Sequence, residues 1–227
     1  MSGAAHPPDT YWFLEGASLL FLSAMGGLFV QGETNVPATG AVLYVANHTS
    51  YLDPVAIGDA SPRRVCFMAK AELFAHKIVG YLLRGVDSYP VKRGESDRGA
   101  FKRTLELLAE NRVVCIFPEG ARQDGITLGA AEAGAALFAT KTGCAVVPVY
   151  VSGANRVLDL RGKLRRGKIT VAFGKPFALD RKTERGDAGA ALIAAIAATR
   201  DEYANEPSRR IPPHWIKKPR EGSRAAG

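Results

Sequence analysis

Five short apolar runs, AVLYV (41–45), RRVCFMAK (63–70), RVVCIF (112–117), CAVVPVYVSG (144–153) and KITVAFGKPF (168–177), constrain this chain most. Each is too short for a stable helix and rich in the residues that fit a buried strand. Between them lie stretches of helical character. One runs on from Pro54, 71–84 forms two pieces broken by Gly85, 96–111 follows a Ser/Asp start, 130–143 stops at Gly143, and 187–204 comes last. FVQGETNVPATG (29–40) reads as a short strand and turn, and VDSYPV (86–91), with Pro90 inside it, as a strand near an edge. Strands alternating with helices predict a single α/β domain with a mixed, largely parallel central sheet flanked by helices. At 227 residues the chain is long enough to bury one sizeable core.

The first 30 residues stand apart as an apolar amino-terminal helix, ahead of an α/β domain over 31–205 and a basic, Pro-containing tail over 206–227 read as loop. The uncharged part, 16–30, would span about 22 Å as a helix, short of the roughly 30 Å hydrocarbon core of a bilayer. No basic residues precede it, as a secretory signal would require. Tyr11 and Trp12 at its start suit the headgroup level, so the segment reads as a helix lying in a membrane interface.

Charge is unevenly spread. The first 62 residues contain no Lys or Arg and carry −5, so with a net charge of +8 the remainder carries +13. Arg156, Arg161, Lys163, Arg165, Arg166 and Lys168 crowd one stretch, and Arg209, Arg210, Lys217, Lys218 and Arg220 another. Such clusters suit phospholipid headgroups, a polyphosphate ligand or an acidic protein. Nucleic acid is not the expected partner, because no recognition module or aromatic platform accompanies the cations. Cys66, Cys115 and Cys144 are widely separated in apolar contexts; they read as core residues in a reducing compartment, and no metal-ligand spacing is present.

Ligands of open α/β sheets sit beyond the carboxyl ends of the strands. Three polar clusters fall there: Asn47-His48 with Asp53, Lys92-Arg93-Gly94, and Phe117-Pro118-Glu119-Gly120 with Arg122. Ser50-x-x-Asp53 ahead of an apolar helix fits a capping box, in which Asp53 accepts a backbone N–H. That box leaves His48 unexplained. A neutral imidazole at a strand end can remove a proton from a hydroxyl while Asp53 holds the ring and stabilises the cation. Glu119 and Arg122 are close enough in sequence to form a structural ion pair, and the alternative is that Glu119 positions an arginine or accepts from an acceptor hydroxyl.

NHTSYLD (47–53), YPVKRG (89–94), FPEGAR (117–122) and VVPVYVSG (146–153), in this order, resemble the four motif blocks of the 1-acylglycerol-3-phosphate acyltransferase family. The resemblance runs from about residue 29 to 177. It implies transfer of a fatty acyl group from an acyl-CoA or acyl carrier protein thioester to the free hydroxyl of lysophosphatidic acid, with no further cofactor. His48 takes the place of the catalytic base and Asp53 that of its charge partner. Arg93, Glu119, Gly120 and Arg122 match the positions held to bind the acceptor's phosphate. Asn47, Lys92, Phe117 and Pro118 support them, and Pro148 matches the fourth block, linked to acyl-donor binding or structure. Ala121 departs from the pattern, which usually has Thr there.

A thioester is already activated, so orienting the alcohol and removing its proton are the main tasks left to the enzyme. A phosphate monoester suits a guanidinium fork. The expected setting is peripheral or monotopic, on the cytoplasmic face of the cell membrane, with membrane phospholipids as partners. Other acceptors (glycerol-3-phosphate, another lysophospholipid, a glycolipid) and a non-catalytic lipid-binding protein are the competing expectations.

Overall fold

The structure, a computed structural model, describes residues 8–92, 97–123 and 127–212. In chain order its strands are β1 (Leu28–Gln31), β2 (Val42–Ala46), β3 (Val65–Lys70), β4 (Tyr89–Val91), β5 (Val113–Ile116), β6 (Ala145–Ser152), β7 (Ile169–Phe173) and β8 (Arg209–Arg210). Its helices are α1 (Pro8–Met25), α2 (Asp53–Ala60), α3 (Ala71–Ala75), α4 (Lys77–Gly85), α5 (Arg98–Ala109), α6 (Ala133–Thr142), α7 (Ala154–Val157) and α8 (Arg185–Tyr203).

The strands form one sheet in the order β4-β3-β5-β2-β6-β7-β1-β8. It is mixed: β6 runs antiparallel to β7 and β8 to β1, while the other neighbours are parallel. Alternation along the strands divides the core in two. Val42, Tyr44 and Ala46 of β2 pack with Leu19 and Leu22 of α1 and Ala56 and Ile57 of α2. Leu43 and Val45 face the other way, among Leu107 of α5, Phe138 of α6, and Leu192 and Ile196 of α8. Both faces of β2 are therefore covered, which is why its sequence is apolar without a polar alternation. The three cysteines are buried and free.

Two boundaries differ from the sequence reading. The amino-terminal helix ends at Met25 rather than near residue 30, because Gly26 and Gly27 turn the chain at φ 132° and 103°. A Cβ at Gly26 would run into the Gly167 carbonyl, so this close crossing requires glycine. Leu28–Gln31 then enters the sheet beside β7. At the other end, Arg209–Arg210 pairs with β1 and Ile211 is buried, so the tail contributes an edge strand before residue 213, beyond which it lies outside the described residues.

Pro148 occupies the centre of the sheet, where a missing N–H is normally costly. It pairs with Val45 of β2 on one side. On the other, β6 and β7 are in register at Val149↔Phe173, yet the next bridge is Val146↔Phe177. One extra residue on the β7 side makes a bulge there, and Gly174 donates its N–H to the Pro148 carbonyl at 2.8 Å. The bulge relieves the proline of ladder duty. Pro148 thus sits at a sheet irregularity.

A Cβ on Gly174 would lie 2.2 Å from Thr199 Oγ1 and 2.8 Å from Pro148 Cγ. Gly174→Ala should destabilise the domain by about 1–3 kcal/mol through overpacking. Urea unfolding monitored by circular dichroism measures this; an unchanged midpoint would show that the bulge tolerates a side chain.

Candidate active site

The carboxyl ends of the parallel neighbours β2 and β5 carry the two polar clusters that the structure brings together. Where β2 ends, the side chain of Asn47 continues its pairing to β6: Nδ2 donates to the Val151 carbonyl at 3.0 Å and Oδ1 accepts from the Val151 N–H at 2.7 Å. A side-chain amide with one donor edge and one acceptor edge can replace a peptide in this way. The main chain is thereby released to turn.

His48 follows, buried, with Nδ1 2.9 Å from Oδ2 of Asp53. A carboxylate only accepts, so Nδ1 carries the proton and Nε2 presents its lone pair. Asp53 opens α2 and is fully buried. Its Oδ2 also accepts from the N–H groups of Thr49 at 2.5 Å and Ser50 at 2.7 Å. Half of the expected capping box therefore exists, since Asp53 reaches back to Ser50. The other half does not: the Ser50 hydroxyl accepts from the Leu52 N–H at 3.2 Å and donates to the Leu158 carbonyl at 2.8 Å. The helix begins at Asp53 with Leu52 as its cap residue, too late for Ser50 to fill that place. Cap and charge partner are the same carboxylate.

The loop after β5 wraps His48 from the other side. The Phe117 ring stacks on the imidazole with centroids 4.0 Å apart and planes 20° from parallel. Glu119 Oε2 accepts from the His48 N–H at 3.3 Å, and the Gln123 N–H donates to the His48 carbonyl at 2.7 Å. Glu119 Oε1 accepts from the Gly129 N–H at 3.1 Å. Among the described residues Glu119 makes no ion pair with Arg122; its carboxylate is occupied by backbone donors. Burial lifts the Glu119 carboxyl above its ordinary range, an effect the two backbone hydrogen bonds oppose. Pro118 is buried and accepts from the Glu132 N–H at 2.7 Å. Gly120 adopts φ 67°, a left-handed conformation that favours glycine, and faces the Glu132 carboxylate.

Arg122 lies over the Tyr51 ring, its guanidinium carbon 3.7 Å from the centroid. Across the sheet, Lys92 is exposed at the end of the edge strand β4, and its N–H donates to Asp97 at 2.8 Å. Arg93 and Gly94 lie outside the described residues.

The sequence model of the family described as Acyltransferase matches residues 27–152, more than half of the chain. The chain belongs to that family. It is 29% identical over 168 residues to a 1-acyl-sn-glycerol-3-phosphate acyltransferase of Bacillus subtilis (strain 168), covering 73% of this chain and 81% of that protein. It is 34% identical over 142 residues to a lyso-ornithine lipid O-acyltransferase of Pseudomonas aeruginosa, covering 56% of this chain and 54% of the other. Its fold is similar to the crystal structure of the 1-acyl-sn-glycerophosphate (LPA) acyltransferase PlsC from Thermotoga maritima, with a TM-score of 0.69 at 22% identity, covering 84% of this chain and 79% of that one. The matched segment in this acyltransferase ends at β6, so it contains both loops around His48 and the strand that Asn47 clamps.

Sequence reasoning missed three contributors to this acyltransferase's site. Gln123 and Gly129 act through backbone N–H groups, which leave no signature in residue type. Tyr51 lies inside the NHTSYLD block but declares nothing until Arg122 is seen above it.

Glu119→Gln should test the bracing role. An amide offers one acceptor oxygen, so one of the two N–H groups would face a donor instead. The cost should be about 1–3 kcal/mol, with turnover falling as His48 loosens. Chemical unfolding and turnover measured together check this, and a variant as stable and active as the parent would remove the brace.

Proposed function

We propose that this acyltransferase moves a fatty acyl group from an acyl-CoA or acyl carrier protein thioester to the free hydroxyl of lysophosphatidic acid, giving phosphatidic acid. The observation that carries the reading is the buried His48–Asp53 pair at the end of β2. Nε2 of His48 takes the proton of the acceptor hydroxyl as its oxygen attacks the thioester carbonyl. The new C–O bond forms, the C–S bond breaks, and the proton passes from the imidazolium to the departing thiolate. Asp53 stabilises the imidazolium in between. The nucleophile belongs to the substrate, and Cys115, under the same strand ends, has its thiol pushed well up by burial, which leaves it unreactive.

The acceptor's phosphate is assigned to Arg122, together with Arg93 by its place in the sequence pattern. Similarity to 1-acyl-sn-glycerol-3-phosphate acyltransferases supports that acceptor. Similarity to a lyso-ornithine lipid O-acyltransferase favours a second reading, in which a different lysolipid is acylated by the same His48 chemistry.

The surface supports a lipid-facing orientation. On α1, Tyr11, Leu19 and Leu22 are buried against the domain while Phe13 and Leu20 are 75% and 63% exposed. Beside it, 158–164 forms a turn bridged at Leu158↔Leu164, with Leu160 and Leu164 exposed among Arg161, Lys163, Arg165 and Arg166. Gly167 donates to the Met25 carbonyl at 2.7 Å, joining this turn to the end of α1. Apolar side chains next to cations match an anionic headgroup layer, each cation near such a surface contributing about 1 kcal/mol. Among the described residues no helix is long and apolar enough to cross a membrane. A peripheral position on the cytoplasmic face, where anionic lipids and thioester donors meet, is part of the proposal, and the exposed apolar and basic side chains of α1 and of 158–166 support it.

Thiol release by the purified protein, with lysophosphatidic acid, glycerol-3-phosphate, lyso-ornithine lipid or no acceptor and with either thioester donor, tests the reaction. Release should depend on lysophosphatidic acid and fall about 10²–10⁴-fold in His48→Ala. Preference for lyso-ornithine lipid would select the second reading, and absence of turnover with every pairing would reject both.

A further inference from the structure

Among the described residues Arg122 has no acidic partner. Its guanidinium stacks on an exposed aromatic ring, with Nη2 donating to the Tyr51 hydroxyl at 3.0 Å. Its Nε–H is buried and has no hydrogen-bond partner among the described residues. A dry donor without an acceptor is unfavourable, and an anion drawn to this guanidinium offsets that cost. The ring beneath it is itself fixed to the catalytic loop. Tyr51 stands between His48 and Asp53, in the six-residue turn whose Thr49 and Ser50 N–H groups are bonded to Asp53. The same turn therefore sets the position of the imidazole and the position of the platform on which the arginine rests.

The chemistry of the two contacts is complementary. A π-face attracts the flat side of a guanidinium, whereas a phosphate binds its N–H edge. One Arg can do both at once. A free arginine side chain loses considerable rotamer freedom on binding an anion, and a ring that has already chosen the rotamer reduces that loss. A carboxylate in the place of Tyr51 would hold the arginine equally well but would neutralise it and compete with phosphate for its edge.

We propose that Tyr51 is the positioning residue for Arg122, holding its guanidinium at a fixed offset from His48 so that a phosphate-bearing acceptor is bound with its hydroxyl at the base. This rests on the acyltransferase reading above and adds the residue that couples acceptor recognition to the catalytic turn. Tyr51 itself need not touch the reacting atoms.

Three variants and their combination decide it: Tyr51→Phe, Tyr51→Leu, Arg122→Ala, and Tyr51→Leu with Arg122→Ala. Tyr51 is 54% exposed, so its replacement leaves the core intact, which a thermal melt verifies. With lysophosphatidic acid, Tyr51→Leu should raise KM about tenfold with kcat within about twofold. Tyr51→Phe, which keeps the ring, should raise it far less. In the Arg122→Ala background, Tyr51→Leu should add nothing. With monoacylglycerol, an acceptor of the same shape without phosphate, KM should be the same for Tyr51→Leu as for the parent.

An unchanged KM for lysophosphatidic acid in Tyr51→Leu, or an effect that adds in full to that of Arg122→Ala, would overturn the proposal while leaving the acyltransferase reading intact. If the parent shows no turnover at all, the acyltransferase reading fails separately. Calorimetric binding of a short-chain, monomeric lysophosphatidate then makes the same comparison: weaker binding in Tyr51→Leu than in the parent, with no further loss in the double variant relative to Arg122→Ala, sustains the platform, and equal binding in Tyr51→Leu and the parent rejects it.

Discussion

The site is organised around one buried carboxylate. Asp53 gathers the imidazole Nδ1 and two consecutive backbone N–H groups onto a single oxygen, and does so in the first residue of α2. Each of those donors belongs to a buried residue, His48, Thr49 or Ser50, so Asp53 spares it the cost of an unmade hydrogen bond. The helix N-terminus behind the carboxylate favours its negative charge, and α2 is in turn fixed by Ala56 and Ile57 in the core. A chain of dependence thus runs from helix packing to carboxylate, from carboxylate to turn, and from turn to the orientation of the imidazole. Removing Asp53 would do more than delete a charge partner, since among the described residues these N–H groups bond to no other acceptor.

Around this carboxylate the protein relies on backbone atoms to a degree that residue types conceal. His48 is gripped at its N–H by Glu119 and at its carbonyl by Gln123 N–H, with Phe117 against its ring. Asn47 locks the preceding residue to β6. Preorganisation of this kind means that little rearrangement is needed when the acceptor arrives. Glu119 illustrates the arrangement. Read as a side chain near an arginine it suggests an ion pair, yet its position places both oxygens on peptide N–H groups belonging to two different loops.

The sheet was legible in the sequence because its strands are buried on both faces, and uninterrupted apolar runs such as AVLYV and RVVCIF have few other fates. The motif order located His48, Asp53 and the Glu119 loop, and these do converge. What the residues could not declare is how one group serves two purposes. Asp53 is both half a cap and a charge partner, a combination that pattern matching treats as alternatives. Contacts between distant loops, such as Tyr51 with Arg122 or Ser50 with Leu158, depend on strand order, and strand order is not encoded locally. The edge strand β8 was least visible, because it consists of two arginines that read as tail and gain their conformation only by pairing with β1, whereas Pro90 had already marked β4 as lying near an edge.

That last pairing has a consequence for how the molecule meets its neighbours. An open sheet has two margins, each with unpaired peptide groups that invite another chain to add a strand. Here β4 is three residues long and contains Pro90, which lacks an N–H, and β8 is two residues long, with Arg209 paired to Glu33 at 2.8 Å. Both margins are short, which limits the length of strand that another chain could add. Margins that resist strand addition keep such a sheet from growing laterally wherever copies of the chain are crowded together.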